Sequence, residues 1–190
     1  MGSWGASDAD EAKPKFLTTE EAKGVYATAS GWTAAAGGTD DASADREVLV
    51  ALRGLSTLLN KADITGIEWI TTAADKSAGF TLSVRVRFNE AVTVTGTPRV
   101  AVTNGNQGSG SGRGPHQLAY ASGSGSHALV FSLVIAAANA ATNANDVLSI
   151  GANAMNLNSG TIKDTGTNVA STITNSGAIG TAAGTITVVA

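Results

Sequence analysis

Few residues in this chain could carry chemistry, and they are scattered. There are two histidines, His116 and His127, and no cysteine in 190 residues. Without cysteine there are no disulfides and no thiolate metal sites. His116 adjoins a glycine-rich run and His127 follows a turn, so both are expected in solvent. Neither has the neighbouring groups that general-base or metal chemistry needs. No serine sits at a strand–turn–helix elbow that would expose a nucleophile. The run from Gly108 to Gly114 (Gly-Ser-Gly-Ser-Gly-Arg-Gly) invites a phosphate-loop reading. It lacks the Gly-Lys-Ser/Thr ending and a following helix, so a flexible loop is expected. Glu90, Asp146 and Asp164 fall at expected loop edges, and carboxylates suit calcium. No Asp-x-Asp-x-Asp spacing joins them, so solvated side chains are expected. The reading is therefore of a protein that is not an enzyme, with no catalytic set, no metal site and no cofactor.

The elements that would position these residues are mostly strands. Phe80, Leu82, Val84, Val86 and Phe88 alternate with Thr81, Ser83, Arg85 and Arg87. That period of two marks a half-buried strand. Similar patterns surround Ile67 and Trp69, Val100 and Val102, Leu118 and Tyr120, and Leu129 to Ile135. Short strands are expected near Val147–Ile150, Asn168–Thr174 and Thr185–Val189. The run 122–126 reads as a hairpin turn, and 104–116 and 136–145 as loops. The 23 glycines suit such a turn-rich chain, because glycine supplies the positive φ that tight turns require. Seven or more short strands with frequent turns predict an antiparallel β-sandwich.

The first sixty residues differ in character. They hold nine acids and five bases, a net of −4, whereas 61–190 hold six acids and seven bases, a net of +1. Residues 1–17 read as an irregular arm carrying Trp4 and Phe16. Thr18 and Glu21 have the spacing of a capping box, predicting a short helix that runs on through Val25 and Tyr26 and ends at Ser30-Gly31. Residues 34–45 read as a loop, and Arg46 to Leu52 as a strand. We therefore divide the chain into an anchoring arm with a short helix and strand, 1–63, and a β-sandwich, 64–190.

The net charge of −3 gives no basic field for nucleic acid. No apolar run of about 18 residues is present, so no membrane span is expected. Nor is there a basic start followed by an apolar stretch, so no secretory signal is expected.

Two resemblances add to this reading. Phe88 and Glu90; Val92, Gly96 and Pro98; Tyr120, Ser122 and Gly123; Leu129 and Phe131; and Gly160, Thr161, Ile162 and Asp164 fall in one series. That series resembles the immunoglobulin-like repeats of large bacterial surface proteins and covers about half the chain, though no tandem repeat is present. It implies an immunoglobulin-like sandwich. The leader Ser3-Trp4-Gly5, Asp8-Ala9-Asp10, Lys13-Pro14-Lys15-Phe16-Leu17-Thr18, with Val25-Tyr26-Ala27-Thr28 and Gly31-Trp32, looks like the start of structural proteins from tailed phages of marine cyanobacteria. This second likeness implies a virion protein assembled in the host cytoplasm, with a capsid decoration (cement) role foremost. Its partners would be the major capsid protein or other virion subunits, and a homo-oligomer stays open. Trp4, Phe16, Tyr26 and Trp32 are the expected partner-binding anchors, since aromatics dominate interface energetics. The alternatives are a module that binds host-surface glycan through its loops and a tail or neck component.

Overall fold

The computed structural model describes residues 13–14, 16–34, 45–105, 115–137 and 142–190. The expected loops therefore lie largely outside the described residues, at 35–44, 106–114 and 138–141.

Strand β6 (Phe80–Thr95) is the spine of the molecule. Its alternation is carried through in three dimensions: Leu82, Val84, Val86, Phe88 and Val92 are all 0% exposed. Its first half pairs antiparallel with β4 (Ile64–Trp69) on one side and β9 (Ser126–Ile135) on the other. Its second half pairs with β12 (Thr161–Asp164), setting Ile162 opposite Val94. The register against β9 slips between Arg87 and Val92, where the strand passes from one set of neighbours to the next. Beyond β9 come β8 (His116–Ser122), β7 (Arg99–Gly105), β10 (Val147–Ser149), β13 (Thr185–Val189) and β5 (Ala74–Asp75). The small β11 (Met155–Asn156) pairs with β7.

The main core lies among the inward residues of these strands, including Phe88, Phe131, Leu118, Leu129, Leu148 and Ile162. Each such side chain contributes about 1.5–3 kcal/mol on burial, opposed by the chain entropy lost. The protein is thus mainly β, as expected. The pairing is mixed rather than purely antiparallel, because β5 runs parallel to β13. The expected strand near Asn168–Thr174 reduces to isolated bridges, Lys163 with Ala170 and Asp63 with Thr172.

At the N-terminal end, the capping box forms as expected. The Thr18 hydroxyl accepts the Glu21 N–H at 3.3 Å, and the Glu21 carboxylate accepts the Thr18 N–H at 2.8 Å. The helix spans only Thr19–Lys23. Val25 and Tyr26 do not extend it; they lie in β1 (Val25–Thr28), which forms a hairpin with β2 (Gly31–Ala34). One helical turn has little propagation to offset its nucleation, so pairing of this β-branched and aromatic segment wins. Gly31 makes the turn possible at φ 130°, where a Cβ would strike the Val50 carbonyl. Strand β3 (Glu47–Ala51) completes the meander, and β1 joins β6 through a parallel register, Ala27 beside Glu90.

These strands enclose a second, smaller cluster of Val25, Ala27, Trp32 and Leu55. Leu59 packs on the small cluster, whereas Ala62 and Ile64 belong to the main one.

Candidate functional site

The four expected anchors have separate fates. Trp4 lies outside the described residues. Phe16 is 73% exposed, directly before the capped helix. Tyr26 and Trp32 are 4% and 2% exposed, so they build this chain's own interior and are closed to a partner. Strand alternation accounts for Tyr26. Val25 and Ala27 enter the small cluster, and Tyr26, between them, turns to the other side. There its ring lies flat on His127, with centroids 4.1 Å apart and planes 2° from parallel. The Arg46 guanidinium stands 5.7 Å from the same ring.

His127 is therefore buried, not solvated. Burial, together with the charges of Arg87, Lys13, Arg46 and Arg85, pushes its pKa down to about 4. Its Nε2 has no hydrogen-bond partner among the described residues.

Two of these cations, Lys13 and Arg87, border a groove of about 790 Å³ between the N-terminal helix, β4 and the C-terminal helix Gly177–Thr181. Leu17, Ile67, Trp69 and Ile179 give it apolar walls, and Ala22, Ala178, Ala182 and Ala183 leave room between them. Lys13, Lys23, Glu68 and Arg87 supply its charge. Trp69 is held by its indole N–H, which donates to the Gly184 carbonyl at 3.2 Å.

Glu68 sits opposite Arg85 in the β4–β6 register. A single carboxylate oxygen, Oε1, accepts from Arg85 Nη1 at 2.9 Å, Arg87 Nη2 at 2.8 Å and Arg87 Nε at 3.2 Å. Burial pushes the Glu68 carboxyl up, but hydrogen bonds from Arg87 and Arg85 and their charges outweigh it, leaving its pKa below the usual value. Lys13 Nζ donates to the Ala22 carbonyl at 3.1 Å. Burial, helped by the charge of Arg87, lowers its pKa to about 8.

Two further buried polar clusters depart from expectation. His116 is 6% exposed on β8, and its Nε2 lies 3.1 Å from the hydroxyl of fully buried Thr142. Burial lowers its pKa, against the pull of Asp146. Asp146 is buried too, and its Oδ2 accepts the Asn143 N–H at 2.8 Å. These contacts tie β8 to the segment that leads into β10.

Glu90 and Asp164 are 1% and 2% exposed, the reverse of the expected solvated carboxylates. Their side chains meet inside the protein. Burial, the charge and hydrogen bond of Asp164 and the charge of Asp63 raise the Glu90 pKa to about 8. With its pKa raised this far, Glu90 is protonated at neutral pH, which relieves the repulsion between the two buried carboxyls. Asp164 meanwhile accepts from the Thr167 N–H and hydroxyl, the latter at 2.9 Å.

Among the described residues, no group of three or more His, Asp or Glu is arranged to hold a metal ion. No helix among them is long and apolar enough to cross a membrane. Comparison with protein-family models, curated protein sequences and solved structures finds no match for this chain. What the geometry offers is thus a half-open groove with an excess of cations, set beside a projecting aromatic ring.

Proposed function

We propose that this chain is a structural virion protein: an immunoglobulin-like module that decorates and reinforces a phage head shell through its N-terminal segment. The observation that carries the reading is the mounting of Phe16. The helix after it is capped, and the strands that follow are built into the sheet through Tyr26, Trp32 and the pairing of β1 with β6. Phe16 nonetheless remains 73% exposed. A large ring on a fixed support loses little conformational freedom on docking, which is the economy that interface anchors exploit. Many identical copies on a shell would add avidity, so each contact can be weak. Trp4, in the leader, is the second anchor of the proposal.

Shell co-sedimentation tests this. Purified heads stripped of the chain are mixed with the full protein, with Phe16→Ala and with a form lacking residues 1–12. Deletion stops at residue 12 because residues beyond 24 build the sheet. The full chain should bind at a fixed ratio to the shell subunit, and both variants should bind at least tenfold more weakly while staying folded. Unchanged binding by both variants, or no association of the full chain with heads, overturns the proposal.

A further inference from the structure

We propose that the groove between the N-terminal helix, β4 and the C-terminal helix is a binding site for an amphipathic carboxylate, an alkyl chain ending in one negative charge. This inference stands apart from the virion reading and does not depend on it.

Three observations converge on that chemistry. The first is shape and lining. At about 790 Å³, with walls of Leu17, Ile67, Trp69 and Ile179, the groove has the dimensions and apolar character of a small-molecule site. Its alanines leave space that larger side chains would fill.

The second is charge. Among the described residues, Glu68 is the one acid of the groove lining, and its bonded oxygen is shared by Arg85 and Arg87. Among the described residues, Lys13 is bonded to the neutral Ala22 carbonyl alone, and Lys23 is paired with Glu20 at 2.6 Å. In the lining, the Glu68 carboxylate thus stands against the Arg87 guanidinium and the Lys13 ammonium, an excess of one positive charge, and Arg85, bonded to the same Glu68 oxygen, adds a second nearby. A bound anion would relieve their mutual repulsion, which desolvation makes stronger than in water.

The third is donor capacity. An ammonium has three N–H donors, and the Ala22 carbonyl uses one of those on Lys13. The hydroxyls of Thr18 and Thr65 already donate to Glu21 and to the Arg87 carbonyl, so the two remaining Lys13 donors are the ones that would hold an anionic head. A cationic amphiphile would meet the excess positive charge, and a neutral one would leave it uncompensated.

The test uses the full chain and titration calorimetry with decanoate, decanol and decylammonium, all below the concentrations at which they form micelles. Decanoate should bind saturably at one site, at least tenfold more tightly than decanol, and decylammonium should not bind. Lys13→Gln should bring decanoate down to the affinity of decanol. Ala178→Trp, on an exposed helical position that lines the groove, should weaken both by blocking the walls. Affinity for decanoate should also fall as pH rises through about 8, where Lys13 loses its proton, and this dependence should vanish in Lys13→Gln. Absence of saturable decanoate binding, equal affinity for decanol in the unaltered protein, or no effect of Ala178→Trp overturns the assignment. Circular dichroism of each variant separates loss of the fold from loss of the site.

Discussion

The rings of Tyr26 and His127 stack 4.1 Å apart and within 2° of parallel, fastening β1 of the N-terminal meander to β9 of the main sheet. This contact belongs to folding, and it sets Tyr26 apart from Phe16. Replacing Tyr26 with alanine should lower the unfolding free energy by about 3–4 kcal/mol, as for other buried aromatic truncations. Phe16→Ala should change it little, because that ring is largely exposed. Urea unfolding of the two variants checks the contrast, and equal small effects would contradict the packed role of Tyr26.

The stack also carries a pH dependence. The pKa of His127 is lowered from 6.5 to about 4 in the folded protein. The unfolded chain therefore takes up a proton first as pH falls, and stability drops between these two values. Above 6.5 the contribution is fully present. His127→Gln should flatten that part of the curve of unfolding free energy against pH.

Glu90 works in the opposite direction. Its folded pKa stands at about 8, above the ordinary 4.5, because burial and Asp164 disfavour the charged form. Below 4.5 both states are protonated and nothing is lost. As pH rises from there toward 8, only the unfolded chain ionises, and stability falls by something on the order of 2–4 kcal/mol. Glu90→Gln keeps a neutral side chain of similar shape. It should match the natural protein near pH 4.5 and exceed it near pH 8 in chemical denaturation.

The burial of these groups was legible in strand parity, though their partners were not. Glu90 follows Leu82, Val84, Val86 and Phe88 on the inward positions of β6, and His127 precedes Leu129 and Phe131 on those of β9. His116 is likewise in step with Leu118, and Asp164 with Ile162. Counting by two through the polar residues, instead of ending the pattern at them, places all four inside. Residue type favours solvent for charged and polar groups, and that preference misplaced them. The capping box at Thr18 and Glu21 and the strand at Thr185–Val189 were readable because they rest on local signals. The β1–β2 hairpin was not, since its stability comes from β3 and β6, distant in sequence. The groove draws on residues from 13 to 183, so no local pattern announces it.

Gly123 offers a test of the β8–β9 hairpin. It adopts φ 108°, and a Cβ there would run into the Ala128 carbonyl. Strain in φ and the backbone clash act together, so Gly123→Ala should cost about 2 kcal/mol or more. Gly125 is also at positive φ, 84°, yet nothing lies within 4 Å of its notional Cβ. Gly125→Ala should therefore be milder, by about 1 kcal/mol relative to the first. Thermal unfolding of the pair distinguishes the clash from the dihedral preference.

Glu68 is the electrostatic keystone between β4 and β6, and its removal should reveal how crowded the cations are. In Glu68→Gln, Arg85 and Arg87 keep their places while losing the carboxylate that both use, with Lys13 and His127 close by. The partners are partly exposed, so a loss of roughly 1–3 kcal/mol is expected, below the range for a fully buried pair. Because repulsion among cations is screened by salt, the loss should shrink as ionic strength rises. The pH dependence has a definite sign. Burial raises the Glu68 pKa, but the two arginines lower it further, so the net folded value lies below 4.5. The contribution is therefore present above 4.5 and disappears as pH falls through the folded value. Unfolding free energies of the natural protein and Glu68→Gln should converge in acid and diverge at neutral pH. A difference that is independent of both salt and pH would mean that Glu68 acts through packing alone, with its charge contributing nothing.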